Sequence, residues 1–194
     1  MKITISGTPG SGKSTVAKQV AAALKLKYYT IGNFMREMAA GKGMSLLELS
    51  KRAEKERWVD TELDDMEKRL AKESDFVMDS RLGFHFIPRS IKIFLKVSRG
   101  EAARRIFNER RGTEKENLTL DKTRKNLKRR QESERLRFMK YYSLDVNNEG
   151  NYDLVIDTTH LSARVAFEKI IRFVTNYKNQ KIKSENGKKK KKRN

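Results

Sequence analysis

Residues 7–14 read GTPGSGKS and match the pattern G-x-x-x-x-G-K-[S/T]. Gly7, Thr8, Pro9, Gly10, Ser11 and Gly12 form a loop whose glycines let backbone N–H groups turn inward around a polyphosphate. Lys13 can reach the β- and γ-phosphate oxygens, the Ser14 hydroxyl can ligate Mg²⁺, and Thr15 continues the helix whose positive end faces the anion. A second candidate metal contact is Asp79, which closes the apolar run FVMD and can hold the Mg²⁺ hydration shell through water. The residue after it is Ser80 rather than a second acid. A motor ATPase uses an acid there to activate water, so the pattern favours transfer to a bound acceptor over hydrolysis.

Transfer between two anions needs cations placed at both, and arginine suits the task through its permanent charge and planar fork of donors. Arg81 follows Asp79 by two residues, and Arg36 lies just past another strand end, behind Gly32, which would let a phosphate approach the backbone. In RRQESERLRF, Arg130, Glu134 and Arg137 are spaced i, i+4, i+7 and share one helical face, with Arg129 and Arg135 on others. In ARRIFNERRG, Arg104, Arg105, Arg110 and Arg111 lead up to Gly112, a cluster that could close over a bound polyphosphate as a lid.

These residues need a frame. Short, nearly continuous apolar runs at 2–6, 27–30, 76–79, 91–97 and 152–157 predict five strands of a parallel sheet buried on both faces. Helical stretches at Lys13–Leu24, Gly100–Arg111 and Ser162–Tyr177 alternate with them, the last packing through Val165, Ile170, Phe173 and Val174. The order is that of a doubly wound α/β fold. Two inserts depart from a plain repeat: a helical one at 32–73, broken by GKG at 41–43, and a charged helical arm at 112–146. Both fall where they can cover the carboxyl edge of the sheet, where ligands bind in such folds. Trp58 is expected to anchor the first insert rather than to stack a base.

The chain of 194 residues predicts a single domain over 1–180, with a disordered basic tail at 181–194. Of the net charge of +20, eight Lys/Arg against one Glu in the tail supply +7, leaving +13 on the body. Anionic partners follow, and the lysine-rich tail is expected to bind RNA weakly and without sequence preference. The sequence has no cysteine, which excludes disulfides, thiolate metal sites and cysteine nucleophiles, and only two histidines, His85 and His160, to which no catalysis is assigned. No apolar run approaches the roughly 20 residues of a membrane span and no leader-like segment precedes the first strand, so a cytoplasmic location is expected.

In their order, ISGTPGSGKST, IGNFMREMAAGKGMSLLE, VMDSRL, KIFLKVS, RRQESERLRFMKYYSLDV and YDLVIDT resemble the nucleoside monophosphate kinases, and specifically the archaeal type of cytidylate kinase, over roughly residues 1–175. The resemblance implies a three-layer α/β/α P-loop NTPase fold with a five-stranded parallel sheet, a monophosphate-binding insert at 32–73 and an arginine-rich lid near 110–116. It implies ATP as donor with Mg²⁺, and CMP or dCMP as acceptor. Arg36, Arg81, Arg130 and Arg137 would hold the acceptor phosphate or the transferring group, with Lys13, Arg110, Arg130 and Arg137 acting in catalysis. Arg105 would cover the adenine, and 158–160 would line the donor base. The protein is expected to be a monomer. Asn33 stands where the family carries aspartate, Ser80 where it more often has glycine, and GFHF follows Leu82 where small residues and tryptophan are common. Two rivals remain open: an adenylate kinase of the same fold, and an RNA- or ribosome-associated nucleotide-binding protein, which the basic charge favours. The residues alone do not name the acceptor base.

Overall fold

The computed structural model describes residues 1–109 and 119–191, with side chains through 180. Five parallel strands, β1 (Lys2–Gly7), β2 (Lys27–Thr30), β3 (Phe76–Asp79), β4 (Ile91–Lys96) and β5 (Leu154–Asp157), form one sheet in the order β2-β3-β1-β4-β5. Each lies close to its expected position. The register aligns Ile5 with Asp79 and Thr30 with Asp79, so the ends of β2 and β3 meet beside β1 at one acid.

Helices α1 (Lys13–Leu24) and α8 (Ala163–Lys191) pack against each other on one face. Their Val16, Val20, Ile170 and Val174 join Ile3, Ile5, Ile93 and Leu95 in a core with almost no exposed surface. Apolar β-branched residues on the strands and alanines on α1 allow this close approach. In α8, Val165 turns outward and is exposed, and Ala166 takes the buried place expected for it. The smaller side chain is the one that fits against the sheet. The helix also runs on to Lys191, past the boundary at 180 where disorder is expected. Loss of apolar periodicity signals loss of packing, but lysine is a good helix former and no proline interrupts the run.

The insert resolves into α2 (Ile31–Gly41), α3 (Leu46–Lys55) and α4 (Trp58–Leu70). The break at GKG is real: α2 ends at Gly41, Gly43 takes φ +65°, and α3 starts in a capping box in which Ser45 and Glu48 satisfy each other's backbone N–H groups. The insert has a core of its own, built from Ile31, Met35, Leu49, Ala53 and Val59, with Trp58 packed against it as expected. Beyond β3 come a one-turn helix α5 (Gly83–Phe86), then α6 (Arg99–Glu109) and the arm helix α7 (Leu120–Tyr142). Helix α7 packs on both α3 and α6, so the arm bridges the insert and the helix that follows β4. The lid segment at 110–116, with Arg110 and Arg111, lies outside the described residues. No helix among the described residues is long and apolar enough to cross a membrane.

Candidate active site

The loop after β1 turns because Gly10 and Gly12 adopt φ +76° and +79°, a region that costs other L-residues dearly. Gly7 is required for a different reason: a Cβ there would sit 2.3 Å from the Leu95 carbonyl oxygen. Thr8 pins the loop to β4, its N–H donating to Leu95 O at 3.0 Å and its Oγ1 accepting from Val97 N at 3.2 Å. Residues 9–15 then line a deep cleft at the carboxyl edge of the sheet, between the loop, the insert and α7.

Within it, Ser14 Oγ donates to Asp79 Oδ2, and Lys13 Nζ stands 3.7 Å from Asp79 Oδ1. Burial pushes the Lys13 ammonium down to about 8; Asp79 opposes that shift, while Arg81 and Arg130 add to it. A lysine held this way lacks a full complement of negative charge, and a polyphosphate would supply it. Tyr28 and Thr30 also approach Asp79, at 3.4 and 3.5 Å. Neither is legible as a site residue in the sequence, because only the β2–β3 register brings them to the acid.

Across the cleft, Glu134 bridges two arginines, Arg81 Nε at 3.0 Å and Arg130 Nε at 3.1 Å. Burial would raise the Glu134 carboxyl, but Arg81, Arg130, Arg137 and Lys13 outweigh it and hold the group at about 2. The carboxylate holds both guanidiniums through Nε. Arg137 shares the expected helical face and lines the same cleft; it is 4% exposed and pairs with Asp60 Oδ1 at 3.5 Å, while its Nε and Nη1 have no hydrogen-bond partner. Arg36 lines the same cleft from the first turns of α2, donating to Asn33 Oδ1 and lying against Gly32, where a Cβ would be 3.8 Å from its guanidinium. Asn33 thus orients Arg36 as an aspartate would, without the charge.

Arg105 stands apart from the cleft. Glu101 holds its Nε at 2.8 Å, and its Nη2 donates to Thr158 O at 2.7 Å, with a longer contact from Nη1 to Gly10 O at 3.4 Å. It ties the phosphate loop to the turn after β5. Arg104 is exposed and paired with Glu101; Arg135 is exposed and paired with Glu132.

The wall opposite the arginines was not anticipated. Asp60, Asp64 and Glu67, spaced i, i+4, i+7 on α4, all line the cleft and are all buried. Burial pushes Asp60 up to about 6, with Arg137 opposing. Burial also raises Asp64, whose carboxylate accepts from Tyr142 Oη at 2.8 Å. Glu67 is pushed up to about 8. The spacing is visible in WVDTELDDMEKR, but it also describes a solvated helical face, and the partners lie far along the chain: Arg137 and Tyr142 of α7 for Asp60 and Asp64, and Ser80 after β3 for Glu67.

A parallel sheet in this order, a phosphate loop and an arginine cluster at its carboxyl edge define a kinase of the P-loop class. Shikimate kinase from Acinetobacter baumannii, solved with shikimate, has the same fold: TM-score 0.62 at 14% identity, covering 91% of this chain and 94% of that one. Residues 2–160 match the Cytidylate kinase-like family, and the chain belongs to that family. The cytidylate kinase of Methanothrix thermoacetophila is 37% identical over 81% of this chain and 88% of its own length. That of Archaeoglobus fulgidus is 36% identical over 90% and 94%. An S-adenosylmethionine-dependent nucleotide dehydratase of Lacinutrix mariniflava is 36% identical over 88% of this chain, which corresponds to 35% of that protein.

Proposed function

We propose that this protein transfers the γ-phosphoryl group of ATP to CMP, and to dCMP, forming ADP and CDP or dCDP. The observation that carries the reading is the placing of Lys13 and the Glu134-bridged pair Arg81 and Arg130 in one cleft, so that cations meet from the donor and the acceptor side.

An oxygen of the acceptor phosphate attacks the γ-phosphorus while the bond to the β-phosphate oxygen breaks, and no covalent enzyme intermediate is formed. Backbone N–H groups of residues 9–15 and Lys13 hold the donor phosphates. Arg36 and Arg81 take the acceptor phosphate, and Arg130 and Arg137 add positive charge where the transferring group passes. Their positions are set before substrate arrives, so little reorganisation accompanies the reaction. The hydroxyl of Ser14 and the carboxylate of Asp79 are in contact and form an oxygen donor set that suits Mg²⁺. When bound there, the ion would neutralise charge on the β- and γ-phosphate oxygens. Arg105 and the turn at 158–160 are assigned to the donor base, and Arg110 to the lid.

The enzyme is proposed to work in the cytoplasm as a monomer, with the lysine-rich end adding weak, salt-sensitive RNA binding. ATP turnover measured with CMP, with RNA and with neither tests the class of function. Stimulation by CMP supports the kinase, and stimulation by RNA alone would replace it with the RNA-associated reading.

A further inference from the structure

Glu67 is a buried acid with an unusual hydrogen-bond setting. It is 3% exposed and lines the cleft, and its Oε2 has no partner. Its Oε1 accepts from the Ser80 hydroxyl. The direction of that bond is settled by the rest of the turn, because Ser80 Oγ also accepts from Leu82 N and Gly83 N, both at 3.1 Å. With both lone pairs engaged, the Ser80 proton can go only to Glu67. Oε1 is therefore the carbonyl oxygen when the carboxyl is neutral, and the proton sits on Oε2, a buried atom with no hydrogen-bond partner in the wall of the cleft.

We infer that Glu67 reads the acceptor nucleobase as a neutral carboxylic acid, its Oε2 hydroxyl donating to a ring nitrogen and its Oε1 accepting from the adjacent amino group, the pair that cytosine presents at N3 and N4. The inference rests on the reading of the enzyme as a CMP kinase and supplies what the arginines cannot, since they grip phosphate and are blind to the base. Uracil offers a donor at N3 and an acceptor at O4, so in the same pose it sets like against like at both atoms, and such a mismatch in a buried site is rejected strongly. The neutral state has a physical cause. Burial is the largest influence on the Glu67 charge, the Ser80 bond opposes it, and the Asp64 carboxylate adds to it. The other charged groups lining the cleft are Asp60 on the same helix, Asp79 and Arg81 at the end of β3, Lys13 on α1, Arg36 on α2, Glu109 on α6, and Arg130, Glu134 and Arg137 on α7.

The test compares Glu67→Gln, which keeps a donor and an acceptor, with Glu67→Met, which keeps the length and removes both. Methionine relieves a buried carboxyl, so that variant is expected to fold, and its Tm is checked. At pH 7, E67M should raise the KM for CMP at least about tenfold, leave the KM for ATP alone and shrink the CMP-to-UMP preference. E67Q should keep the KM for CMP within a few-fold. For the unmodified enzyme the KM for CMP should rise as pH passes about 8, and in E67Q that rise should disappear. An unchanged CMP KM and CMP-to-UMP ratio in folded E67M would overturn the inference, as would a pH rise that persists in E67Q. If the unmodified enzyme turns over no pyrimidine monophosphate at all, the kinase reading falls and the inference with it.

Discussion

Two buried glutamates in one cleft hold opposite charge states. Glu134 is ringed by Arg81, Arg130, Arg137 and Lys13 and stays ionised down to about pH 2. Glu67 has burial, a serine hydroxyl and another acid for company, and holds its proton up to about pH 8. The residue type is the same, and what differs is which helix faces each one. The cleft thus has a cationic side, from the phosphate loop to α7, proposed to handle phosphate, and an acidic side on α4, proposed to face the rest of the acceptor. A kinase needs both: charge to bring two anions together, and a nearly neutral surface of fixed donors and acceptors to tell one base from another.

The cationic half is broken most severely at Lys13. Lys13→Ala should lower kcat by about 10²-fold or more with little change in Tm, because Lys13 serves the transferring group rather than the core. A variant that melts normally and keeps more than about a tenth of kcat would contradict that role.

Glu134→Gln should act on the fold as well as on the rate. Removing this carboxylate leaves two guanidiniums and an ammonium close together with less compensation, a loss of about 3 kcal/mol for a buried network, read as a lower urea midpoint. Glu134 is depressed in the folded protein, so its stabilisation is present above about pH 4.5 and is lost as pH falls toward about 2. The variant should lose that part of the acid sensitivity.

Arg36→Ala and Arg81→Ala sharpen the division between donor and acceptor. Each should raise the KM for CMP by about tenfold and leave that for ATP nearly unchanged. A fall in kcat at constant KM would place the arginine at the transition state instead.

The smallest effect is expected far from the cleft. Truncation after Asn179 should leave kcat/KM for CMP unaltered and weaken RNA retention at low salt, since cationic side chains bind by counterion release. Loss of kinase activity would show that the end of α8 supports the fold.

How much of this was legible in the sequence follows the same division. The phosphate loop could be read because its function is carried by eight consecutive residues between a strand and a helix. The five strands could be read because a sheet buried on both faces has continuous apolar runs. Arg130 and Glu134 could be placed together because a helix fixes their spacing locally. Arg137, on the same face, went to Asp60, and a spacing rule says nothing of which acid waits on another helix. Asp60, Asp64 and Glu67 are not legible for the same reason: their periodicity is that of a solvated face, and their partners Arg137, Tyr142 and Ser80 sit on other elements.

The central claim is that the cleft delivers phosphate to CMP. The direct measurement is kcat/KM for CMP, dCMP, UMP, AMP and GMP at saturating Mg-ATP. The account predicts CMP first, dCMP close behind, UMP poorer and the purines poorest. AMP ahead of CMP would make the protein an adenylate kinase of this fold, and no stimulation by any monophosphate would contradict the account altogether.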